Sequence, residues 1–171
     1  MQQTRSIFHD GERAVQARAG VSDEWLKRSE NFVRSVMPQQ HRNFFENLQM
    51  LILGLLDSEG RSWCVPALGP RGFLVSPTPD TLEIHRDPVL SCELGLERSV
   101  GASVGILGID LSSRRRNRLN GRIQHASPGK MTIVVDQSYG NCPQYIQTRH
   151  LSPGQDKAAA VGSRRGSITD P

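Results

Sequence analysis

Residues 105–123 have the sequence GILGIDLSSRRRNRLNGRI, and this pattern predicts a β-hairpin. The apolar run over 104–111 is typical of a buried strand, and Ser112 and Ser113 supply a polar turn. From residue 116 onward the sequence alternates strictly, which places Leu119 and Ile123 on one face of the returning strand. The opposite face carries four polar or basic side chains: Arg116, Arg118, Asn120 and Arg122.

The basic face of this hairpin has two interpretations. Side chains that share a strand face lie about 7 Å apart, so a row of guanidinium groups repels itself unless it faces water or an anion. The planar fork of donors on arginine suits a phosphate group, which favours a phosphate-bearing partner. An arginine-rich strand face is equally typical of a solvated edge that discourages aggregation. The hairpin alone leaves both interpretations open.

The composition limits the class of protein. With 171 residues, 36% of them hydrophobic and 5% aromatic, the chain is long enough for one domain with a core and lies outside the disordered range. The net charge of +4 is concentrated in the hairpin, whereas a general nucleic-acid coat would spread its basic residues. Three scattered cysteines are too few for a disulfide framework or a zinc site, so we predict no metal.

The chain shows no signal-peptide pattern at its start, and its longest apolar run, 48–56, is about half of what a membrane span requires. We therefore expect a cytoplasmic protein without membrane contact. We also expect three parts in the chain: an N-terminal helical segment over 1–47 that packs on a barrel, the barrel domain over 48–150, and a flexible tail over 151–171.

Short strands separated by turn residues fill the middle of the chain. Besides the hairpin, we predict strands over 48–56, 61–67, 73–76, 81–85 and 131–136, with 48–56 buried on both faces. Helices are predicted over 12–19, from Ser22 to Pro38, over 39–46, from Asp87 to residue 97, and from Pro143 onward. No alternating βαβ rhythm occurs, so the predicted fold is mainly β, a closed antiparallel barrel with flanking helices.

Known catalytic motifs are absent from the sequence. We find no phosphate-binding P-loop, HExxH, GxSxG or paired Cys-x-x-Cys, and the five histidines show no ligand spacing. We therefore nominate no catalytic residue. Any chemistry would come from a cofactor, to which the protein supplies binding and electrostatics.

Three motifs, in this order, resemble the pyridoxamine 5'-phosphate oxidase-like family of FMN-binding split-barrel proteins. The first is DSEGRSW over 57–63 followed by GFLVS over 72–76, and the second is the hairpin itself. The third, DQSYGNCPQYI over 136–146, is particular to a branch of the family other than the oxidase itself. The resemblance covers about residues 5–150 and implies an antiparallel split barrel of the Greek-key type.

The resemblance also implies an FMN-dependent oxidoreductase that acts on a small molecule and holds its flavin at a homodimer interface. Residues on the strand after the first turn are implied as neighbours of the isoalloxazine ring or the ribityl chain: Arg61, Ser62, Trp63 and Cys64. Ser76 matches the place where the family begins its phosphate cradle. The implied phosphate or ribityl ligands are Arg115, Arg116 and Arg118.

The chain departs from the oxidase at three places that concern its substrate, and one of them is that the C-terminal substrate-binding arginine motif of the oxidase has no clear counterpart. Pro66 stands where the oxidase has a lysine, and Pro77-Thr78-Pro79 replaces its phosphate-binding segment after Ser76. FMN binding is thus expected, whereas pyridoxamine phosphate is not the expected substrate. Two alternatives remain, a non-catalytic flavin or nucleotide binder and a nucleic-acid-binding β-barrel. The latter is disfavoured because residues 112–126 contain no aromatic residue for base stacking.

Overall fold

The computed structural model describes residues 7–150 apart from residues 90, 91 and 93. The elements of this part are three short helices followed by seven strands. The helices are α1 (Asp10–Arg18), α2 (Asp23–Glu30) and α3 (Gln39–Glu46). The strands are β1 (Met50–Leu56), β2 (Ser62–Leu68), β3 (Leu74–Val75), β4 (Thr81–Ile84), β5 (Ser103–Asp110), β6 (Arg115–Ser127) and β7 (Lys130–Gly140). The predicted tail over 151–171 lies outside the described residues.

All seven strands belong to one antiparallel sheet with the order β2-β1-β5-β6-β7-β4-β3. This arrangement confirms the prediction of a mainly β fold and agrees with a split-barrel type of architecture. The strands β2 and β3 stand at the two ends of the order. Within the described ranges, no helix is long and apolar enough to cross a membrane.

The central hairpin forms as the alternation predicts. Its two strands pair from Ser103↔Arg122 to Asp110↔Arg115, and Arg114 takes a left-handed conformation with φ of 57° in the turn. Leu119 and Ile123 are buried, at 0% and 1% exposure. The strict period of two in the sequence is therefore the period of burial in β6.

Helix α3 closes the core over the end of β5. Pro38 fixes the extended backbone that precedes the helix, and Phe44 and Phe45 are buried beneath it. Their rings approach Gly108 so closely that a Cβ there would lie 2.8 Å from Cε1 of Phe44 and 2.7 Å from Cδ1 of Leu48. Only glycine lets the helix pack this close to the strand.

The burial of β1 differs from the prediction of a strand buried on both faces. Leu51, Leu53 and Leu55 are buried, but Gly54 and Leu56 are exposed. The face that carries Gly54 and Leu56 is only partly covered, since Met50 and Ile52 on the same face are half-buried. We call the side of β1, β2, β5 and β6 that faces away from the core the outer face.

Three predicted helices are wrong wholly or in part. The described residues over 87–97 form turns and, at Leu96, a β-bridge to Asp57, because the Asp87 carboxylate accepts from the Gly129 N–H and from Arg98 and does not cap a helix. Between Pro143 and residue 150, where the described part ends, there is no helix, because the Asn141 N–H donates to the Arg116 carbonyl and so continues the strand pairing. The helix that begins after Ser22 ends at Glu30, well before Pro38.

The outermost strand on the β1 side of the sheet contains a proline. Pro66 pairs with Ile52 of β1, and its carbonyl accepts a hydrogen bond of 2.8 Å from the Val89 N–H on its other side. Proline is confined to such edge positions because it has no N–H for a second strand.

Candidate functional site

A groove of about 370 Å³ opens on the outer face, where β1 ends and β5 begins. Five strands contribute to it, so residues that are far apart in sequence meet there. Its lining residues are Gly54, Leu55, Leu56, Ser62, Trp63, Ser103, Val104, Gly105, Asn120, Gly121 and Asp136.

Two glycines paired across neighbouring strands form the floor of this groove. Gly54 of β1 lies opposite Gly105 of β5. A Cβ on Gly54 would have its nearest neighbour 3.7 Å away, and so would a Cβ on Gly105. The surrounding protein therefore does not force glycine at either position. Without side chains there, however, the floor is flat bare backbone that a planar molecule can approach.

Asn120 sets the polarity beside this floor. It lies opposite Gly105, and its Nδ2 donates a hydrogen bond of 2.9 Å to Oε1 of Gln137. That bond fixes the carboxamide, and its Oδ1 lies toward Gly105. The carbonyl oxygen can therefore accept a hydrogen bond from a ring N–H lying on the glycines.

The turn that leads into β2 is built around a buried carboxylate. Asp57, 2% exposed, accepts hydrogen bonds from the Glu59 and Arg61 N–H groups, from Nε of Arg61 at 2.7 Å and from Nε1 of Trp63 at 2.8 Å. The Trp63 indole, followed by the Arg61 side chain, holds the pKa of Asp57 well below its usual range against the opposing effect of burial. This carboxylate fixes the start of β2, and hence the rim of the groove.

Of the four residues that the resemblance implied after the first turn, Arg61 precedes β2, and Ser62 and Trp63 line the groove. Cys64 is exposed and pairs with Gly54 across β1 and β2. Arg61 does not line the groove, because its guanidinium is held by Asp57 and by Glu59, at 2.8 Å.

Ser76 lies apart from this group. It follows β3, at the opposite end of the strand order from β2. Its hydroxyl accepts from Nε of Arg42 at 3.0 Å and donates to the Thr78 carbonyl at 2.9 Å, and its N–H donates to Glu46. Ser76 is 2% exposed, so these contacts give it a structural role in joining α3 to β3.

The three nominated arginines do not share one surface. Arg115 stacks over the ring of Phe44, 5.1 Å from the centroid, and is thus directed toward α3. Arg116 donates to the Cys142 carbonyl at 3.2 Å, and its Nε is buried without a hydrogen-bond partner among the described residues. Arg118 is exposed and lies opposite Leu107 on the outer face. It is two residues from Asn120, or about 7 Å along the strand.

A buried histidine and serine join α3 to β7. Nδ1 of His41 lies 2.8 Å from Oγ of Ser138, which is 0% exposed. Burial lowers the pKa of His41, and the charges of Arg34 and Arg115 lower it further, so the imidazole stays neutral at pH 7. A serine without solvent access cannot reach a substrate, and we assign the pair a structural role. Within residues 7–150 as described, no cluster of three or more His, Cys, Asp and Glu side chains is arranged to hold a metal ion.

The sequence analysis nominated neither the floor nor the polar group beside it. Gly54, Gly105 and Asn120 meet only through the pairing of β1 with β5 and of β5 with β6. The available signal was a glycine inside each of the apolar strands β1 and β5. Glycine within a strand often marks a close approach by a ligand or another backbone.

Comparison with known proteins leaves the family open. No family model matches the chain, and no curated protein matches it. Among solved structures, the chain is similar to HupZ of Group A Streptococcus. One of the two crystal structures is of a HupZ variant at 1.98 Å resolution, and the other is of HupZ at 1.70 Å resolution. Each has 14% sequence identity and a TM-score of 0.44, and the match covers 61% or 67% of this chain and 99% of HupZ. A likeness of this degree carries no inference about function.

Proposed function

We propose that this protein is an FMN-binding flavoprotein, and that it acts as an oxidoreductase on a small molecule. The observation that carries the proposal is the flat floor of Gly54 and Gly105 within a groove of about 370 Å³. An isoalloxazine ring is planar and needs such a surface free of side chains. The three motifs that resemble FMN-binding split-barrel proteins support the same cofactor.

The residues around the floor suit the parts of FMN. The Oδ1 atom of Asn120 would accept from the imide N–H of the ring, while Gln137 holds its Nδ2. Arg118, exposed and close to Asn120 on β6, would face the ribityl phosphate. Bound FMN would supply the two-electron chemistry, and the chain would supply binding and orientation.

A homodimer is part of this proposal. The outer face exposes large apolar side chains, including Leu56 in the groove at 42% exposure and Leu68 at the far end of β2 at 52%. A second copy of the chain on this face would cover those leucines together with the open side of the ring. Gel filtration of the flavin-loaded protein measures the mass of the complex. A flavin-loaded monomer would contradict this part of the proposal.

The groove itself also fits a second candidate, a flavin binder without turnover. Asp136 is the one ionisable side chain among the groove residues described above, and it faces Arg122 at 3.5 Å. Among the described residues that line the groove there is therefore no unpaired carboxylate and no imidazole. Oxidation of NADH or NADPH by the flavin-loaded protein would favour the oxidoreductase. Bound flavin that neither these donors nor oxygen turn over would favour the binder.

Filling the floor tests the site directly. We expect Gly54→Val to weaken FMN binding at least about tenfold, because the new side chain occupies the place of the ring. The fold should persist, since the nearest atom to the new Cβ is the Gly105 carbonyl oxygen at 3.7 Å, and valine suits a strand. The measurement is the visible spectrum after FMN addition and gel filtration.

The matched control for Gly54→Val is Gln124→Val, at an exposed position of β6 that does not line the groove. It should retain FMN like the unaltered chain. An unaltered protein that leaves the column without flavin bands would overturn the proposed function. Equal FMN retention by both variants would place the flavin elsewhere on the molecule.

The role of Arg118 can be separated from that of the ring site. We expect Arg118→Gln to weaken FMN binding about fivefold to tenfold and to leave riboflavin binding unchanged, because riboflavin lacks the phosphate. Arg116→Gln should have a smaller effect, because Arg116 is engaged with the Cys142 carbonyl. Titrations of both ligands that follow flavin fluorescence make the comparison. An equal loss of riboflavin and FMN affinity in Arg118→Gln would exclude a phosphate contact.

A further inference from the structure

A second cavity, of about 290 Å³, lies at the other end of the same two strands. Met50 and Ile109 line it, four residues before Gly54 on β1 and four residues after Gly105 on β5. At the rise of an extended strand, this separation is about 13 Å. The cavity is therefore distinct from the glycine groove.

Basic side chains from two separate loops meet at this cavity. Arg71 comes from the turn between β2 and β3, and Arg149 and His150 come from the segment after β7. Arg71 makes no hydrogen bond or ion pair with another residue of the described ranges. Among the described residues, the Arg149 guanidinium donates only to neutral oxygens, those of Thr148 and Gln147. Neither guanidinium is paired with a carboxylate there.

The loop that carries Arg71 is held in place by its backbone. The Gly69 N–H donates to the Gln49 carbonyl at 3.1 Å, and the Phe73 N–H donates to the Pro70 carbonyl at 3.1 Å. Gly72 has a φ of +87°, which places Arg71 at the second position of a type II turn. Gly69 lies against Phe73, because a Cβ there would be 2.5 Å from the ring. Arg71 is therefore presented from a fixed backbone.

The segment that carries Arg149 is anchored on the opposite side of the cavity. The backbone N–H of Arg149 donates to the carbonyl of Leu111, which lies just beyond the end of β5, at 3.3 Å. Two loops that are far apart in sequence are thus fixed against the same pair of strands. This positioning differs from that of arginines scattered over a solvated surface.

One carboxylate also lines the cavity, but its oxygens are occupied. Oδ1 of Asp110 accepts from the Ser112 N–H at 3.0 Å and from the Ser112 hydroxyl at 2.7 Å, and its Oδ2 accepts from the Ser113 hydroxyl. Burial raises the pKa of Asp110, but the hydrogen bonds from Ser113 and Ser112 outweigh it and lower the pKa overall. Asp110 is therefore held as a carboxylate within its own turn, and among the described residues it forms no ion pair with Arg71 or Arg149.

We propose that this cavity is an oxyanion-binding subsite that takes the phosphate group of a small molecule, separate from the glycine groove. Two guanidinium groups, neither with a carboxylate partner among the described residues, and an imidazole line one space with several N–H donors, which is the arrangement that phosphate oxygens accept. The proposal does not rest on the proposed function, because it uses no residue of the flavin groove.

Inorganic phosphate is the probe for this subsite. Titrated into the full chain at constant ionic strength by calorimetry, it should give one saturable binding event. We expect Arg71→Gln and Arg149→Gln each to weaken that binding about tenfold or more, since each removes a charge-assisted donor. The control is Arg13→Gln, an exposed arginine of α1 outside the cavity, which should bind phosphate like the unaltered chain.

These variants also separate site binding from the general stabilising effect of phosphate on folded proteins. Equal phosphate binding in all three variants, or none in the unaltered chain, would overturn the proposal. FMN retention should be unchanged in Arg71→Gln and Arg149→Gln. Displacement of phosphate by FMN would overturn the assignment of a separate subsite. An unaltered chain that binds phosphate but retains no flavin would instead refute the proposed function alone.

Discussion

Replacing Gly121 with alanine should destabilise the protein by about 3 kcal/mol or more. A Cβ at this position would overlap the Val134 carbonyl oxygen and lie 2.9 Å from Cγ2 of Ile133. The first neighbour is backbone of the adjacent strand, so it cannot move without breaking pairs between β6 and β7. The register of the two strands shifts between Asn120 and Gly121, at the point where Gly121 lies against the Val134 backbone.

Urea unfolding followed by circular dichroism measures the effect of Gly121→Ala. The matched control is Gly105→Ala, in which the new Cβ has only Oδ1 of Asn120 nearby, at 3.7 Å. The control should unfold within about 0.5 kcal/mol of the unaltered protein. If both variants unfold at the same urea concentration, the close approach of β6 and β7 at Gly121 is wrong.

Replacing Asp57 with asparagine should have the second largest effect, lowering the melting temperature by about 5 to 10 °C at pH 7. Nε of Arg61 and Nε1 of Trp63 both donate to one oxygen of the Asp57 carboxylate. In asparagine an NH₂ group, itself a donor, would face these two donors. It would also remove the charge that pairs with Arg61. Scanning calorimetry is the measurement, and Glu24→Gln, at an exposed ion pair with Arg28, is the control with little expected change.

The pH dependence of Asp57 has a defined sign. Hydrogen bonds depress its pKa in the folded state, so its stabilising contribution is complete above the pKa of an unfolded aspartate, about 4. The contribution is lost as the pH falls below that value toward the folded pKa. The difference in melting temperature between the unaltered chain and Asp57→Asn should therefore shrink as the pH falls below about 4. A difference that stays constant from pH 7 to pH 3 would contradict this assignment.

Local periodicity predicted the hairpin well. Alternation in β6 separated buried Leu119 from exposed Arg118 because a side chain in a strand changes face at each residue, and this rule needs no knowledge of the neighbours. Helix α3 was predicted within its observed bounds, since Pro38 fixes its start. These features depend on residues that are adjacent in the chain.

The groove could not be predicted in this way because it depends on long-range register. Gly54 and Gly105 are 51 positions apart, and only the pairing of β1 with β5 brings them together. The same limit explains the wrong helix over 87–97. Asp87 is a good helix cap in isolation, but the distant Gly129 N–H competes for its carboxylate. Arg115 is separated from Arg116 and Arg118 for a local reason, since Arg115 and Arg116 are consecutive in a strand and face opposite sides.

The proline at the edge of the sheet affects how these molecules meet at high concentration. A strand from another molecule that adds to the β2 edge would need an N–H and a free carbonyl at each outward-facing position. Pro66 lacks the N–H, and its carbonyl is already bonded to Val89. Edge-to-edge polymerisation is therefore blocked in the middle of β2, so this edge resists the growth of β-fibres.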